Sequence, residues 1–191
     1  MAQGDRPLRA DAARNRARVL EVAYETFAAQ GLAVPIDEIA RRAGVGAGTV
    51  YRHFATKEDL FRAVLDERIR RVVDEGNALA KDAKPGEALF VFLRSVVLKF
   101  GATDRGLADA LAGSEAGSEV DVEAVKSESE KAFLTLLRGL LEAAQQAGAV
   151  RGDLDVHDVK AILVGCLAIQ DASPNAAERL TEVVLDGLRA G

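Results

Sequence analysis

Five polar side chains lie close together just before residue 58, in a stretch too short to form a core of its own. They are Thr49, Tyr51, Arg52, His53 and Lys57. Together they offer cations and hydroxyl donors for phosphate, and some could reach base edges in a DNA groove. Lys57 is the most telling, because a cation in the first turn of a helix opposes the helix dipole. A phosphate bound by Lys57 would offset that electrostatic cost. The alternative interpretation is that Lys57 is a solvated lysine with no DNA contact.

The residues around this stretch have the spacing of two short helices that cross at a steep angle. Such a crossing needs a small residue at the contact, a turn residue that tolerates positive φ, and an apolar anchor on the second helix. Ala40, Gly44 and Val50 supply these three features in order. An ordinary pair of packed core helices would also accept them. With the polar side chains nearby, the pattern favours a DNA-binding helix-turn-helix over residues 36–57.

The whole chain is patterned for helices, since it has only four prolines and no tryptophan and long tracts of good helix formers. We therefore predict an all-α protein of about nine helices. The predicted spans are 12–29, 36–44, 47–54, 56–81, 87–100, 106–112, 120–147, 155–172 and 175–189. Residues 1–10 are predicted to form a flexible arm, residues 11–57 a three-helix DNA-binding domain, and residues 58–191 a C-terminal helical bundle.

Charge and composition limit the function classes. The 191 residues carry a net charge of -5, but residues 1–57 hold nine basic and six acidic side chains, so the basic surplus lies at the N-terminal end. The single Cys166 cannot form an intramolecular disulfide, and no secretory signal or membrane-length apolar stretch is evident. These features predict a soluble cytoplasmic protein.

The run PIDEIARRAGVGAGTVYRHFATKEDLFRAVL, from Pro35 to Leu65, resembles the DNA-binding signature of the TetR family of bacterial transcriptional regulators. The resemblance covers roughly the first third of the chain. It implies a homodimeric repressor that binds a palindromic operator in double-stranded DNA, with a C-terminal domain for dimerisation and a small-molecule ligand. A shorter stretch, residues 105–111, is similar to the sixth helix of one subgroup of this family.

The resemblance also implies roles for individual residues of the helix-turn-helix. Thr49 and Arg52 would face bases or the groove edge. Tyr51, His53 and Lys57 would contact phosphates. Arg16, on the first helix, would join them.

Three further residues belong to the same predicted interface. Arg42 ends the second helix and could reach phosphate or base, or remain a solvated surface cation. Ala47 and Gly48 stand where family members often place contacting side chains, yet neither can form a bidentate hydrogen bond with a base. Ala47 could still contact a thymine methyl group, and Gly48 could let the backbone approach DNA closely. The motif therefore predicts docking on DNA more firmly than it predicts how a sequence is chosen.

The last two predicted helices carry the dimerisation prediction. The helix over 155–172 is apolar nearly all round between residues 161 and 169, so it needs neighbours on every side. A second subunit is the natural source, which predicts a homodimer through residues 155–189. Burial wholly within one subunit is the alternative.

A ligand pocket is predicted from aromatic and basic side chains in the middle of the chain, where the family keeps its cavity. The candidates are Phe90, Arg94, Phe100, Arg105 and Phe133. Core packing for the phenylalanines and solvation for the arginines are the alternatives.

Other chemistry is disfavoured. His157 with Asp153 and Asp155 fits the capping of a helix start better than a metal site. No nucleophile with a base, phosphate loop or cofactor motif points to an enzyme, so we predict no catalytic activity, cofactor or metal. A helical adaptor that has lost DNA binding is the remaining alternative, which the polar set around Lys57 opposes.

Overall fold

The computed structural model describes residues 5–31, 34–100 and 128–190, and over these ranges the protein is all-α, as predicted. Its eight α-helices there are α1 (Asp5–Gln30), α2 (Ile36–Ala43), α3 (Ala47–His53), α4 (Lys57–Asp82), α5 (Pro85–Ser95), α6 (Glu128–Gln146), α7 (Val156–Ala172) and α8 (Ala177–Asp186). A π-helical turn, Val96–Phe100, continues α5, and a 3-10 turn, Pro174–Ala176, precedes α8. The predicted helix over 106–112 and the first part of the helix predicted over 120–147 lie outside the described residues.

The chain divides into two compact units, residues 1–67 and residues 68–191, with the boundary inside α4. The start of α4 belongs to the first unit, because Leu60 and Val64 are buried in its core. From Ile69 onward, the buried side chains of α4 belong to the second core. The boundary predicted after residue 57 falls at the start of this same helix.

The first unit forms around the inner faces of α1, α2, α3 and the beginning of α4. Its fully buried aliphatic side chains include Val19, Ile39, Val50 and Leu60. Helix α1 begins at Asp5, seven residues before the predicted start at residue 12. Aspartate and proline are both favourable in a first helical turn, which accounts for a helix in part of the predicted arm.

The second unit packs α5 against α6 and covers them with α7 and α8. The rings of Phe92 and Phe133 lie 6.2 Å apart at the centre of its core. Part-buried ion pairs among the described residues also join its helices: Arg94 Nη2 donates to Glu182 Oε2 at 2.7 Å, and Lys160 Nζ donates to Glu130 Oε1 at 3.1 Å. Helices far apart in sequence are therefore linked by charge as well as by apolar contact.

The last helix is shorter than the predicted span of 175–189. Beyond Asp186 the backbone leaves the helix, because Leu188 O accepts from Arg151 N at 3.0 Å and Ala190 N donates to Ala149 O at 3.2 Å. These bonds form an isolated antiparallel bridge between Val150 and Arg189. The end of the described chain is thus fixed against the turn between α6 and α7.

Candidate nucleic-acid interface

The turn between α2 and α3 has the geometry that the sequence spacing predicts. Gly44 adopts φ +67°, a left-handed conformation that glycine takes without a Cβ clash. The turn is closed by Val45 N, which donates to Ala40 O at 3.1 Å. Val50, with no exposed surface, anchors α3 in the core beneath. The predicted helix-turn-helix is confirmed at the level of the fold.

Helix α3 presents a polar outer face. Val50 and Phe54 are buried, whereas Tyr51 is 50% exposed. The other predicted contact residues of this helix also reach the surface, with Arg52 and His53 exposed and Thr49 partly exposed. Since helical residues three and four apart share a face, Thr49, Arg52 and His53 lie together, and Tyr51 stands beside them.

Lys57 is the first residue of α4, and its side chain is partly exposed. The helix start is fixed by a capping box: Asp59 N donates to Thr56 Oγ1 at 3.0 Å, and Thr56 N donates to Asp59 Oδ2 at 3.1 Å. This cap satisfies two backbone donors without using the lysine. Lys57 is thus placed near the positive end of the α4 dipole, where an anion would be stabilised.

Two arginines of α1 lie against the helix-turn-helix. The Arg16 guanidinium stands 5.3 Å from the centre of the Phe54 ring, within the range of a cation–π contact. The Arg18 guanidinium lies beside the turn, since a Cβ placed on Gly44 would stand 3.2 Å from Arg18 Nη2. Sequence reasoning selected Arg16 but missed Arg18, although both belong to an alternating series that begins at Arg14.

Arg42 is held by acceptors on two sides. Its Nε donates to Glu38 Oε1 at 2.7 Å, and the Gln30 carboxamide oxygen, in its favoured orientation, accepts from Arg42 Nη2 at 2.6 Å. Glu38 also accepts two bonds of 2.8 Å from Arg41. Hydrogen bonds from Arg41 and then Arg42 lower the pKa of Glu38 to about 2. Sequence reasoning missed Glu38, whose signal is its spacing of three and four residues from the two arginines.

The first two residues of α3, Ala47 and Gly48, carry no polar side chain. Gly48 is exposed, and a Cβ placed on it would meet nothing within 4 Å. Ala47 offers only a methyl group. The structure therefore leaves room for close approach at this tip and provides no side-chain hydrogen bond there.

Of the five residues predicted to line a ligand pocket, Phe90, Arg94 and Phe133 have described side chains, and all three belong to the second unit. Phe90 and Phe133 are buried, and the Arg189 guanidinium stands 4.3 Å from the Phe90 ring centre. Arg94 is paired with Glu182, which raises the pKa of that guanidinium. The Phe100 side chain and Arg105 lie outside the described residues. A ligand-contacting role for these five stays a prediction.

The start of α7 has the capping geometry predicted from its acidic residues. Asp155 Oδ1 accepts from His157 N at 2.7 Å and from Asp158 N at 3.0 Å. Asp153 instead accepts from Arg151 Nε at 2.6 Å. Across the described ranges, no three His, Cys, Asp or Glu side chains are grouped as metal ligands would be.

Two family models match the chain. The first, "Bacterial regulatory proteins, tetR family", matches residues 19–64. The second, "Transcriptional regulator SbtR-like, C-terminal domain", matches residues 84–190. The chain belongs to the TetR family of bacterial transcriptional regulators. This TetR-family protein is therefore a DNA-binding regulator of transcription and not an enzyme.

The likeness to other TetR-family proteins extends over most of the chain. A TetR transcription regulatory protein from Mycobacterium vanbaalenii is 56% identical, with 96% of this chain and 100% of that chain covered and a TM-score of 0.71. A TetR transcriptional regulator from Streptomyces coelicolor is 34% identical, with coverage of 92% and 98% and a TM-score of 0.68. The "Fatty acid metabolism regulator protein" of Bacillus subtilis (strain 168) is 24% identical over 151 residues, 78% of each chain.

Within the described ranges, no helix of this TetR-family chain combines the length and the apolar character that a membrane crossing needs.

Proposed function

We propose that this TetR-family regulator is a cytoplasmic repressor that binds a palindromic operator as a homodimer and releases it when a small molecule binds the second unit. The observation that carries the proposal is the outward polar face of α3 beside the capped start of α4. In this assignment Thr49 and Arg52 contact bases. Tyr51, His53, Lys57, Arg16 and Arg42 contact phosphates, while Ala47 and Gly48 allow close approach of the backbone.

Solvent-exposed apolar surface on α7 and α8 supports the proposed homodimer. On α7, Ala161, Gly165 and Ala168 are exposed at three- and four-residue spacing, so one strip of this apolar helix is uncovered in a single chain. On α8, Val183 is 63% exposed. A second copy of the same two helices would cover both surfaces in a four-helix interface. Paired recognition helices would then meet successive major grooves on a palindrome.

Control by a small molecule is supported by the shared helix α4. It begins at Lys57, in the proposed DNA interface, and its later residues are buried in the core of the second unit. The Bacillus subtilis relative is named for fatty acid metabolism, which is consistent with control by a metabolite. A coupling of about 1 to 3 kcal/mol between ligand and DNA is sufficient for such a switch.

The salt dependence of DNA binding tests the proposal. The probe is the DNA upstream of the regulator's own gene, measured by fluorescence anisotropy between about 50 and 200 mM salt. Lys57→Ala is expected to weaken binding and to lower the slope of log K against log salt by about 1. Tyr51→Phe is expected to weaken binding and leave that slope nearly unchanged.

Thr49→Ala and Arg52→Ala are expected instead to alter the preference between DNA sequences.

Lys84→Ala is the matched control, because Lys84 is an exposed lysine at a helix start in the second unit. It removes the same charge without touching the proposed interface. If Lys57→Ala and Lys84→Ala gave the same affinity and slope as the unaltered protein, the proposed phosphate contacts would be wrong.

A further inference from the structure

The Arg18 guanidinium lies against the turn of the helix-turn-helix. A Cβ placed on Gly44 would stand 3.2 Å from Arg18 Nη2 and 3.8 Å from Arg18 Cζ. The guanidinium therefore borders the space in which any larger residue at position 44 would place its side chain. Arg18 itself is exposed. Its position beside the turn depends on the absence of a side chain at residue 44.

The charge of Arg18 is not neutralised within the described part of the chain. At the end of α2, Arg41 and Arg42 both donate hydrogen bonds to Glu38. By contrast, no carboxylate in residues 5–31, 34–100 or 128–190 forms an ion pair with Arg18. The negative end of the α2 dipole favours a cation at this place. The guanidinium is thus held beside the turn while its hydrogen-bond donors remain available to an external anion.

The turn between α2 and α3 lies where a helix-turn-helix passes from the DNA backbone into the major groove. In this motif the first helix crosses the backbone, and the N-terminal end of the second helix enters the groove. Gly44 closes α2, and α3 begins at Ala47. A cation beside this turn is therefore positioned for the phosphates at the edge of the groove. The planar guanidinium matches the geometry of phosphate oxygens.

We propose that Arg18 binds a DNA phosphate at the edge of the major groove, and that Gly44 leaves the space that its guanidinium needs. This contact rests on the proposed function, in which α3 enters the groove, and it adds a phosphate ligand from α1. It also gives Gly44 a second role. The left-handed backbone at this position is tolerated by asparagine as well as glycine, but only the glycine leaves that space free.

Arg18→Met tests the phosphate contact, because methionine keeps an apolar stem and removes the charge. Binding is measured by fluorescence anisotropy between about 50 and 200 mM salt. Two duplexes are used, the DNA upstream of the regulator's own gene and an unrelated sequence. We expect the affinity for both to fall about five- to tenfold for each bound subunit at about 100 mM salt, since a phosphate contact carries no sequence information. The slope of log K against log salt should fall by about 1 for each bound subunit.

Two further variants control this measurement. Arg18→Lys keeps the charge and should keep the salt slope of the unaltered protein. Arg138→Met makes the same substitution at an exposed position of α6 in the second unit, and should leave both affinity and slope unchanged. Urea unfolding of all three variants should show free energies of unfolding close to that of the unaltered protein, because both arginines are exposed.

Gly44→Asn separates the space at this position from its backbone conformation. Asparagine tolerates the left-handed region, but its Cβ would stand 3.2 Å from Arg18 Nη2 and displace the guanidinium. The variant should fold and should bind both duplexes more weakly. Adding Arg18→Met to it should cause a smaller further loss than Arg18→Met causes alone. Fully additive losses would overturn the second role of Gly44.

Unchanged affinity and slope in the Arg18→Met variant would overturn the phosphate contact. Weaker binding with an unchanged slope would also overturn it, because that result indicates a structural contact with the turn alone.

The two duplexes keep these outcomes separate from the proposed function. If Arg18→Met lowered the slope on unrelated DNA while the unaltered protein showed no preference for its upstream DNA, the Arg18 contact would be supported and the operator assignment contradicted. If Lys57→Ala lowered the slope on upstream DNA and Arg18→Met did not, the proposed interface would be supported and the Arg18 contact would be wrong.

Discussion

At the scale of single residues, two glycines four positions apart have opposite roles in the helix-turn-helix. Gly44 has φ +67° and lies against the Arg18 guanidinium, whereas Gly48 is exposed with open space around its Cα. The backbone conformation at position 44 requires glycine, whereas the helical conformation at position 48 does not. Identical substitutions at the two positions should therefore have opposite effects on stability.

We expect Gly44→Ala to lower the free energy of unfolding by about 1 to 2 kcal/mol, because an L-residue is strained in the left-handed region. Gly48→Ala should raise it by about 0.5 kcal/mol, because alanine loses less entropy in a helix. Urea unfolding of both variants measures the difference. Equal effects of the same sign would contradict this account of the turn.

Glu38 gives a second prediction at this scale, since its carboxylate engages Arg41 and Arg42 in the proposed interface. Glu38→Gln should tighten binding to non-specific DNA by about two- to fivefold at low salt, because the two guanidiniums no longer share a carboxylate. The pKa of Glu38 is lowered to about 2, so the carboxylate stays ionised throughout the range from pH 5 to pH 8. The ratio of affinities should therefore be constant over that range; a ratio that narrows at pH 5 would oppose the prediction. Anisotropy titrations measure it.

Individual residues of the proposed interface also show which contacts the sequence could predict. Thr49, Tyr51, Arg52 and His53 were predictable because a short helix fixes their direction once Val50 is assigned to the core. The second acceptor for Arg42 was not predictable, because Gln30 lies on another helix. The ion pair between Arg94 and Glu182 was not predictable either, because the two residues lie on different helices, 88 positions apart in the sequence. Spacing reveals neighbours on one helix, whereas contacts between helices require the fold.

At the scale of elements, most helix boundaries were predicted within one or two residues, and the clearest exceptions are the start of α1 and the end of α8. The starts of α4 and α7 are specified by local side-chain caps at Thr56 and Asp155, which are visible in sequence. The end of α8 depends instead on backbone bonds to the distant turn after α6. Such a boundary follows from tertiary packing, so helix periodicity alone extended it too far.

The cap of α7 gives a prediction with a defined pH dependence. Backbone N–H groups of Asp158 and then His157 lower the pKa of Asp155. Because the folded-state pKa is depressed, the stabilisation is complete above the ordinary value near 3.8 and is lost as pH falls through the lower folded value. Asp155→Ala should thus lower Tm by about 2 to 4 °C at pH 7, and its deficit should shrink below pH 4.

Asp155→Ser is the control for this prediction, because serine keeps a capping oxygen but has no carboxyl to titrate. It should stay close to the unaltered protein at pH 7. Thermal unfolding followed by circular dichroism at several pH values compares the three proteins. A deficit of Asp155→Ala that persisted unchanged at pH 3 would show that the carboxylate charge is not responsible.

At the scale of the whole molecule, the proposed homodimer depends on the uncovered strip of α7 and on Val183. We expect Val183→Glu to convert the dimer to a monomer, because a carboxylate would be buried without a partner. Affinity for a palindromic operator should fall at least about tenfold, since the two half-sites are no longer bound together. Sedimentation velocity and anisotropy measure the two effects.

Ala28→Glu is the control, since Ala28 is exposed on α1 in the first unit. It adds the same charge away from α7 and α8, and should remain dimeric. Binding of the Val183→Glu variant to a single half-site should be unchanged. A Val183→Glu protein that stayed dimeric would place the subunit interface elsewhere.

The position of Tyr51 also makes the protein its own optical reporter. The chain has two tyrosines and no tryptophan; Tyr51 is half exposed on the outer face of α3, while Tyr24 is partly buried in α1. Near-ultraviolet emission excited at tyrosine therefore comes from only two rings, one of them on the surface proposed to meet DNA. Quenching on addition of duplex would register contact at Tyr51 without a dye, and a Tyr24→Phe variant would isolate that signal to a single side chain.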